Sequence, residues 1–320
     1  MGSQRLLVLD TASLYFRAFF GVPDTFTAPD GTPVNAVRGL LDFIARLVET
    51  YRPSHLVCCW DNDWRPAWRV ELIPSYKAHR VAGAGETVVA EMAASSETAG
   101  EEAPDALAVQ VPVIMDVLGA LGLAVVGKDG YEADDVIGTL AATAPMPVDV
   151  VTGDRDLFQV VDDERGVRVL YIARGVGKHE RVDNAWVQAK YGIAAEHYVD
   201  FAVLRGDASD GLPGVAGIGE KTAASLINSY GGLPEILAAA SGSAPTISPS
   251  VRSKLGKAID YLAVAPQVVA VASDLDLGVT VDELRLPSEP VDGPGFAALT
   301  ERYGLGSSAE RVVKSLAGVG

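Results

Sequence analysis

Leu6-Leu7-Val8-Leu9-Asp10 is an apolar run halted by an acid, and Thr11 to Phe20 follows with aromatic and apolar residues at helical spacing. The order is strand, acid, helix. It returns at His55-Leu56-Val57-Cys58-Cys59-Trp60, which ends in Asp61, and at Val148-Asp149-Val150-Val151-Thr152-Gly153, which ends in Asp154. Helical spacing also falls at 34–50, 106–120 and 132–143. This alternation predicts an α/β fold: a largely parallel central sheet covered by helices, because strands apolar at every position are buried on both faces. A parallel sheet aligns the carboxyl ends of its strands along one edge, where α/β proteins place ligands. Val167 to Ile172 adds a further strand, and from about Asp183 the chain reads as helices joined by Gly-rich turns. The expected division is an α/β core over 1–182 and a helical subdomain over 183–320, with a helix-loop-helix near 200–230. No repeat of fixed period is present, which excludes solenoids and propellers.

Composition narrows the class. The 320 residues are 48% hydrophobic and 21% charged, the balance of a globular chain rather than a disordered one. No run of eighteen apolar residues and no basic-then-apolar leader occurs, so no membrane association is expected. Cys58 and Cys59 are the two cysteines, adjacent inside an apolar run, which leaves no disulfide framework and fits a reducing cytoplasm. The net charge of −16 argues by itself against a polyanionic partner. That argument weakens if the acids are gathered around cations, so their positions decide.

Asp10, Asp61 and Asp154 each end a strand, and a parallel sheet brings them to one edge. Glu132, Asp134 and Asp135, then Asp156, Asp207 and Asp210, complete a set of nine carboxylates. Singly, each could cap a helix or turn. Together they repel: two unit charges about 4 Å apart at an effective dielectric of about 20 oppose each other by roughly 4 kcal/mol. Hard divalent cations relieve that repulsion, and an oxygen-only donor set points to Mg²⁺ or Mn²⁺. Nine acids exceed the needs of one ion and imply two, the arrangement that serves phosphodiester cleavage. On a regular helix Glu132 and Asp135 share a face while Asp134 points away, so at least one must precede the helix or bind through water.

Gly211 to Thr222 is a glycine-rich loop leading into a helix from Ala223. It is no nucleotide-binding P-loop, because Gly214 and Gly219 would require lysine where Glu220 stands. Between two helices it is either a plain tight connection or a set of free backbone amides suited to a DNA phosphate. Tyr76-Lys77-Ala78-His79-Arg80 places Lys77 and Arg80 on one helical face, able to grip a phosphate or simply to meet solvent, with Arg69 a few residues earlier.

Taken in order, these motifs resemble the metal-dependent 5′ nuclease family, the flap endonucleases and the 5′-3′ exonuclease domain of bacterial DNA polymerase I. The residues that carry the likeness are Asp10 before Leu14-Tyr15-Phe16-Arg17-Ala18, Asp61, Tyr76 to Arg80, Glu132 to Leu140, Thr152 to Asp156, and Gly206 to Asp210 continuing through Gly219-Glu220-Lys221-Thr222. The resemblance spans about 5–290, is close to the bacterial branch, and implies a free-standing 5′ nuclease with a PIN-like core. It implies that Asp10, Asp61, Glu132 and Asp134 surround one metal, and Asp135, Asp154, Asp156, Asp207 and Asp210 the other. It further implies that Lys77 and Arg80 polarise the scissile phosphate at the base of a helical arch over 75–110, and that Tyr76 stacks on a base. Gly214, Gly217, Gly219, Lys221 and Thr222 would hold duplex DNA, with Arg69 as a further DNA contact and K⁺ able to join the loop. The expected substrate is flapped double-stranded DNA with a 5′ single-stranded end. The expected setting is replication and repair at the nucleoid, by a monomer working beside a polymerase and a ligase.

One departure stands out: 81–106 carries Glu86, Glu91, Glu97, Glu101, Glu102 and Asp105 without a lysine or arginine beyond it in the segment. An acidic wall repels a threaded strand, so the segment is expected either to be disordered and stand aside, the reading preferred here, or to restrict which flaps enter. Two other classes keep the same residues: a noncatalytic branched-DNA binder with structural metals, and an RNA-cutting relative.

Overall fold

The computed structural model describes residues 4–82, 104–242 and 247–319. The expected arch at 75–110 and the acidic stretch at 81–106 therefore fall largely outside the described residues.

Six strands form one sheet: β1 (Leu6–Asp10), β2 (His55–Trp60), β3 (Ala124–Gly127), β4 (Val148–Thr152), β5 (Val167–Tyr171) and β6 (Glu180–Val182). Their spatial order is β3-β2-β1-β4-β5-β6, with the first five parallel and β6 antiparallel at the edge. After β3 the chain crosses to the other side of β1, so the topological switch lies between β1 and β4. Leu7 pairs in register with Leu56, and Val8 with both Val57 and Val150, which brings the ends of β1, β2 and β4 to one level. β3 and β6 were not foreseen from sequence, being four and three residues long.

Both sheet faces are buried, and alternate residues serve each. Leu6, Val8, Val57, Cys59, Val148 and Val150 join a core with the helix Ala133–Thr143 and with Tyr198, Phe201, Leu226 and Leu262 of the helical half. Leu7, Leu9, Leu56, Cys58 and Val151 face the helices Asn35–Tyr51 and Gln110–Leu121.

The expected helical subdomain over 183–320 is divided in the structure. Its last two helices, Gly293–Tyr303 and Gly306–Ala317, return to the first half and pack beside Gln110–Leu121 and Asn35–Tyr51. Ala309, Val312 and Leu316, spaced three and four apart, supply the apolar stripe. Arg311 forks onto Asp42 at 2.9 Å through both nitrogens.

Candidate active site

Asp10 ends β1 and caps the helix Thr11–Gly21. Its Oδ1 accepts from the Ser13 amide at 3.1 Å, and its Oδ2 accepts from the Ser13 hydroxyl and from Thr152 Oγ1 at 2.7 Å. Thr152 was missed by sequence reasoning; its signal was its place at a strand end two residues before Asp154. Asp61 follows β2, and its Oδ1 accepts from the Ala133 amide at 2.9 Å. That bond turns the start of Ala133–Thr143 toward the strand ends, where its acids meet the positive end of the helix dipole. Glu132 stands just before that helix, so it and Asp134 meet in one basin while Asp135 turns to Arg69. Buried at 3% exposure, Glu132 accepts from Tyr76 Oη at 2.7 Å, Arg69 Nη1 at 3.1 Å and the Lys77 ammonium.

The acids influence one another strongly. Burial pushes Asp134 well above the usual carboxylate range, and the charges of Asp154 and Asp10 push it further. Burial and then Asp210 raise Asp154 to about 6. Burial and then Asp10 raise Asp61 to about 6, against the Ala133 hydrogen bond. Asp156 is pushed well up by burial, Asp154 and Asp210, and its Oδ1 is buried without a hydrogen-bond partner. Asp10, Asp61, Glu132, Asp134, Asp154, Asp156 and Asp210 thus share one basin at the carboxyl edge of the sheet. Among the described residues no three of them close into a finished ion cage. The donor set nevertheless fits hard divalent ions: it is all oxygen, and the orphaned Asp156 oxygen and the destabilised Asp134 carboxylate lack the counter-charge that such ions supply.

Two of the nine acids are placed differently from expectation. Asp135 is 0% exposed, and Arg69 forks onto it with two bonds of 2.7 Å. Asp207 accepts from the Ser209 amide at 2.9 Å, from the Ser209 hydroxyl, from Arg155 at 3.0 Å and from Arg205 at 3.1 Å. Burial opposes its charge, yet Ser209, Arg155 and Arg205 hold it below the usual range. Each of these two carboxylates has about four acceptor positions and all are filled by protein donors, which leaves none for an ion. Sequence could not show this, since Arg69 and Asp135 are far apart along the chain.

Four expected substrate contacts are also engaged internally. Arg69 is 2% exposed and spends its guanidinium on protein groups. Tyr76 is 4% exposed, with its ring in the core and its hydroxyl on Glu132, so it offers no face to a base. Lys77 is 7% exposed; burial opposes its charge, but Glu132 and then Asp210 raise its pKa well above the ordinary value. Its backbone is left-handed, with φ at +48°, and its amide donates to the Asp210 carbonyl at 2.9 Å. Arg80 donates to Asp210 Oδ1 at 2.8 Å and to the Ser209 carbonyl at 2.9 Å.

The glycine-rich loop joins the helices Tyr198–Arg205 and Glu220–Tyr230. Gly214 has φ at +62°, and a Cβ there would lie 2.5 Å from the Gly206 nitrogen, so only glycine lets the loop fold back this closely. Gly217 is also left-handed, at +79°, and its carbonyl accepts from Lys254 Nζ at 2.9 Å. Gly219 caps the second helix, which Lys221 and Thr222 enter in its first turn, Lys221 exposed.

Residues 5–192 match the family described as the 5′-3′ exonuclease N-terminal resolvase-like domain, and residues 193–292 match its C-terminal SAM fold. A 5′-3′ exonuclease of Streptomyces coelicolor is 58% identical over 310 residues, covering 97% of this chain and 99% of that protein. One from Mycobacterium tuberculosis strain H37Rv is 48% identical over 317 residues, covering 97% of each. In fold, the chain is similar to the T5 5′-exonuclease solved with bound zinc, at a TM-score of 0.63 and 15% identity over 99% of both chains.

Proposed function

The chain belongs to the 5′-3′ exonuclease family, and from that premise we propose that it hydrolyses DNA phosphodiesters at or near a 5′ end, as exonuclease and flap endonuclease, with two divalent cations, Mg²⁺ or Mn²⁺. The observation that carries this reading is the basin of seven carboxylates, four of which, Asp61, Asp134, Asp154 and Asp156, are pushed up by desolvation and by their acidic neighbours, with one orphaned oxygen. Asp10, Asp61, Glu132 and Asp134 would hold one ion, and Asp154, Asp156 and Asp210 the other. Bound there, the ions supply an acidified water and neutralise charge on the leaving oxygen. Asp10 keeps its orientation through Ser13 and Thr152. Lys77 and Arg80, paired here with Glu132 and Asp210, would be the cations available to the scissile phosphate where those carboxylates hold ions. Loop 206–222 meets the duplex backbone with the Lys221 side chain and the amides that open the helix Glu220–Tyr230, a contact that reads no sequence. Its carbonyls could also seat K⁺, although Lys254 already holds that of Gly217. The cellular task that fits is removal of flaps and primers in replication and repair.

A labelled 5′-flap duplex tests this reading. Cleavage is expected with Mg²⁺ or Mn²⁺, none in EDTA, and a loss of at least about a thousandfold for Asp154→Asn combined with Asp156→Asn. Cleavage that persists in EDTA, or in the double variant, overturns it.

A further inference from the structure

The Arg69 guanidinium leaves no donor for a ligand. Nε donates to the Val268 carbonyl at 3.1 Å; Nη1 to Glu132 Oε1 at 3.1 Å and Asp135 Oδ2 at 2.7 Å; Nη2 to Asp135 Oδ1 at 2.7 Å and the Ala270 carbonyl at 3.3 Å. That uses all five N–H groups of an arginine. Asp135 is equally saturated: beyond Arg69 it accepts from the Glu132 amide at 3.1 Å on Oδ2 and from the Ala272 amide at 2.9 Å on Oδ1. A carboxylate has about four acceptor positions, and all are filled. These two residues therefore face Glu132 from below, gripping both its backbone and its carboxylate.

The same pair reaches across the molecule. Val268, Ala270 and Ala272 lie at and beyond the end of the helix Ile259–Val269 in the helical half. Gln159 reinforces that seam, donating to the Val269 carbonyl at 3.2 Å and accepting from the Val271 amide at 2.9 Å. Ile259–Val269 packs on Tyr198–Arg205, with Tyr261 Oη on the Val203 carbonyl at 3.2 Å, and Tyr198–Arg205 runs directly into the glycine-rich loop. One chain of contacts thus joins the loop proposed to hold DNA to an acid proposed to hold a cation.

Resting on the nuclease reading above, we propose that Arg69 and Asp135 are a positioning pair, which sets the Glu132 carboxylate toward its cation and makes that setting depend on the seating of the helical half. Neither residue touches substrate or ion. The pair tunes affinity through the carboxylate it orients.

The test measures Mn²⁺ binding without DNA, by the loss of the free-ion paramagnetic signal, and duplex binding in EDTA across a salt series. The proteins are the parent, Arg69→Lys, Asp135→Asn, and the double variant Arg69→Met with Asp135→Leu, which removes both charges together and keeps the site apolar and filled. Mn²⁺ affinity is expected to fall about 10–100-fold in all three variants. Duplex affinity and its salt slope should stay within twofold of the parent, and cleavage should recover at raised Mn²⁺. Arg69→Lys fails to rescue because an ammonium lacks the two-pronged fork. If the single variants do not fold, the double variant decides. Parental Mn²⁺ affinity in the folded variants overturns the proposal. So does a salt slope shallower by about one with Mn²⁺ affinity intact, which would make Arg69 a phosphate contact. A parent that neither binds Mn²⁺ nor cleaves overturns the nuclease reading, and this proposal with it.

Discussion

Asp154 shows what one residue contributes. Its folded pKa of about 6 exceeds the ordinary 3.8, so the folded state binds the proton more tightly than the unfolded chain does. Stability from this site is therefore fully present below about pH 4 and is lost as pH rises through about 6. Asp154→Asn removes the charge and keeps an oxygen for the Asp156 amide, which now bonds Asp154 at 2.8 Å. In EDTA at pH 7.5 the variant should melt higher than the parent, by a margin of about 1–3 kcal/mol that fades toward pH 4, while Mg²⁺ should raise the parent by more than the variant. Thermal melts at the two pH values check this; a margin independent of pH would contradict it. Most of the acids were legible in the sequence because they sit at or just past a strand end or in a first helical turn, while Asp207 and Asp210 were legible only as a pair in the loop after Tyr198–Arg205. Their partners were not. Arg69 and Arg155 look alike in a sequence, and only packing decides that the first is buried on Asp135 while the second reaches Asp207 from the surface.

Among the elements, the helix Ala133–Thr143 shows how a helix interior can be specified by its neighbour. Gly138 is a poor helix former, yet a Cβ there would lie 2.4 Å from Val271 Cγ2 and 2.5 Å from the Ala272 carbonyl. Gly138→Ala gains about 1 kcal/mol of helix propensity. Overpacking against a backbone carbonyl outweighs that gain, so a net loss of about 1–2 kcal/mol is expected in a urea titration. Unchanged or higher stability would mean that the 270–272 segment yields freely. The long elements could be read from their periodicity, and Asn35–Tyr51 and Ala133–Thr143 lie within a residue of expectation. β3 and β6 escaped because so few residues carry no period, and pairing with β2 and β5 is what makes them strands.

The whole molecule is organised by the two faces of its sheet. The face bearing Leu7 and Leu56 is closed partly by the helix Gly306–Ala317, far along the chain, where Leu316 is 0% exposed. Leu316→Ala should cost about 2–5 kcal/mol in urea unfolding and leave cleavage at low temperature unchanged, because that face lies opposite the helical half. A loss of activity without a loss of stability would contradict this placement. The return of this helix was not legible, since an amphipathic stripe states that it must be covered but not by what. The other face has a different implication. Sheet residues such as Val8 and Val150 share one uninterrupted core with Phe201, Leu226 and Leu262. A recombinant piece cut at 192/193 would expose the inside of that core on both products, so the two family matches, although adjacent in sequence, do not mark a place where this protein can be taken apart and its pieces exchanged with those of another.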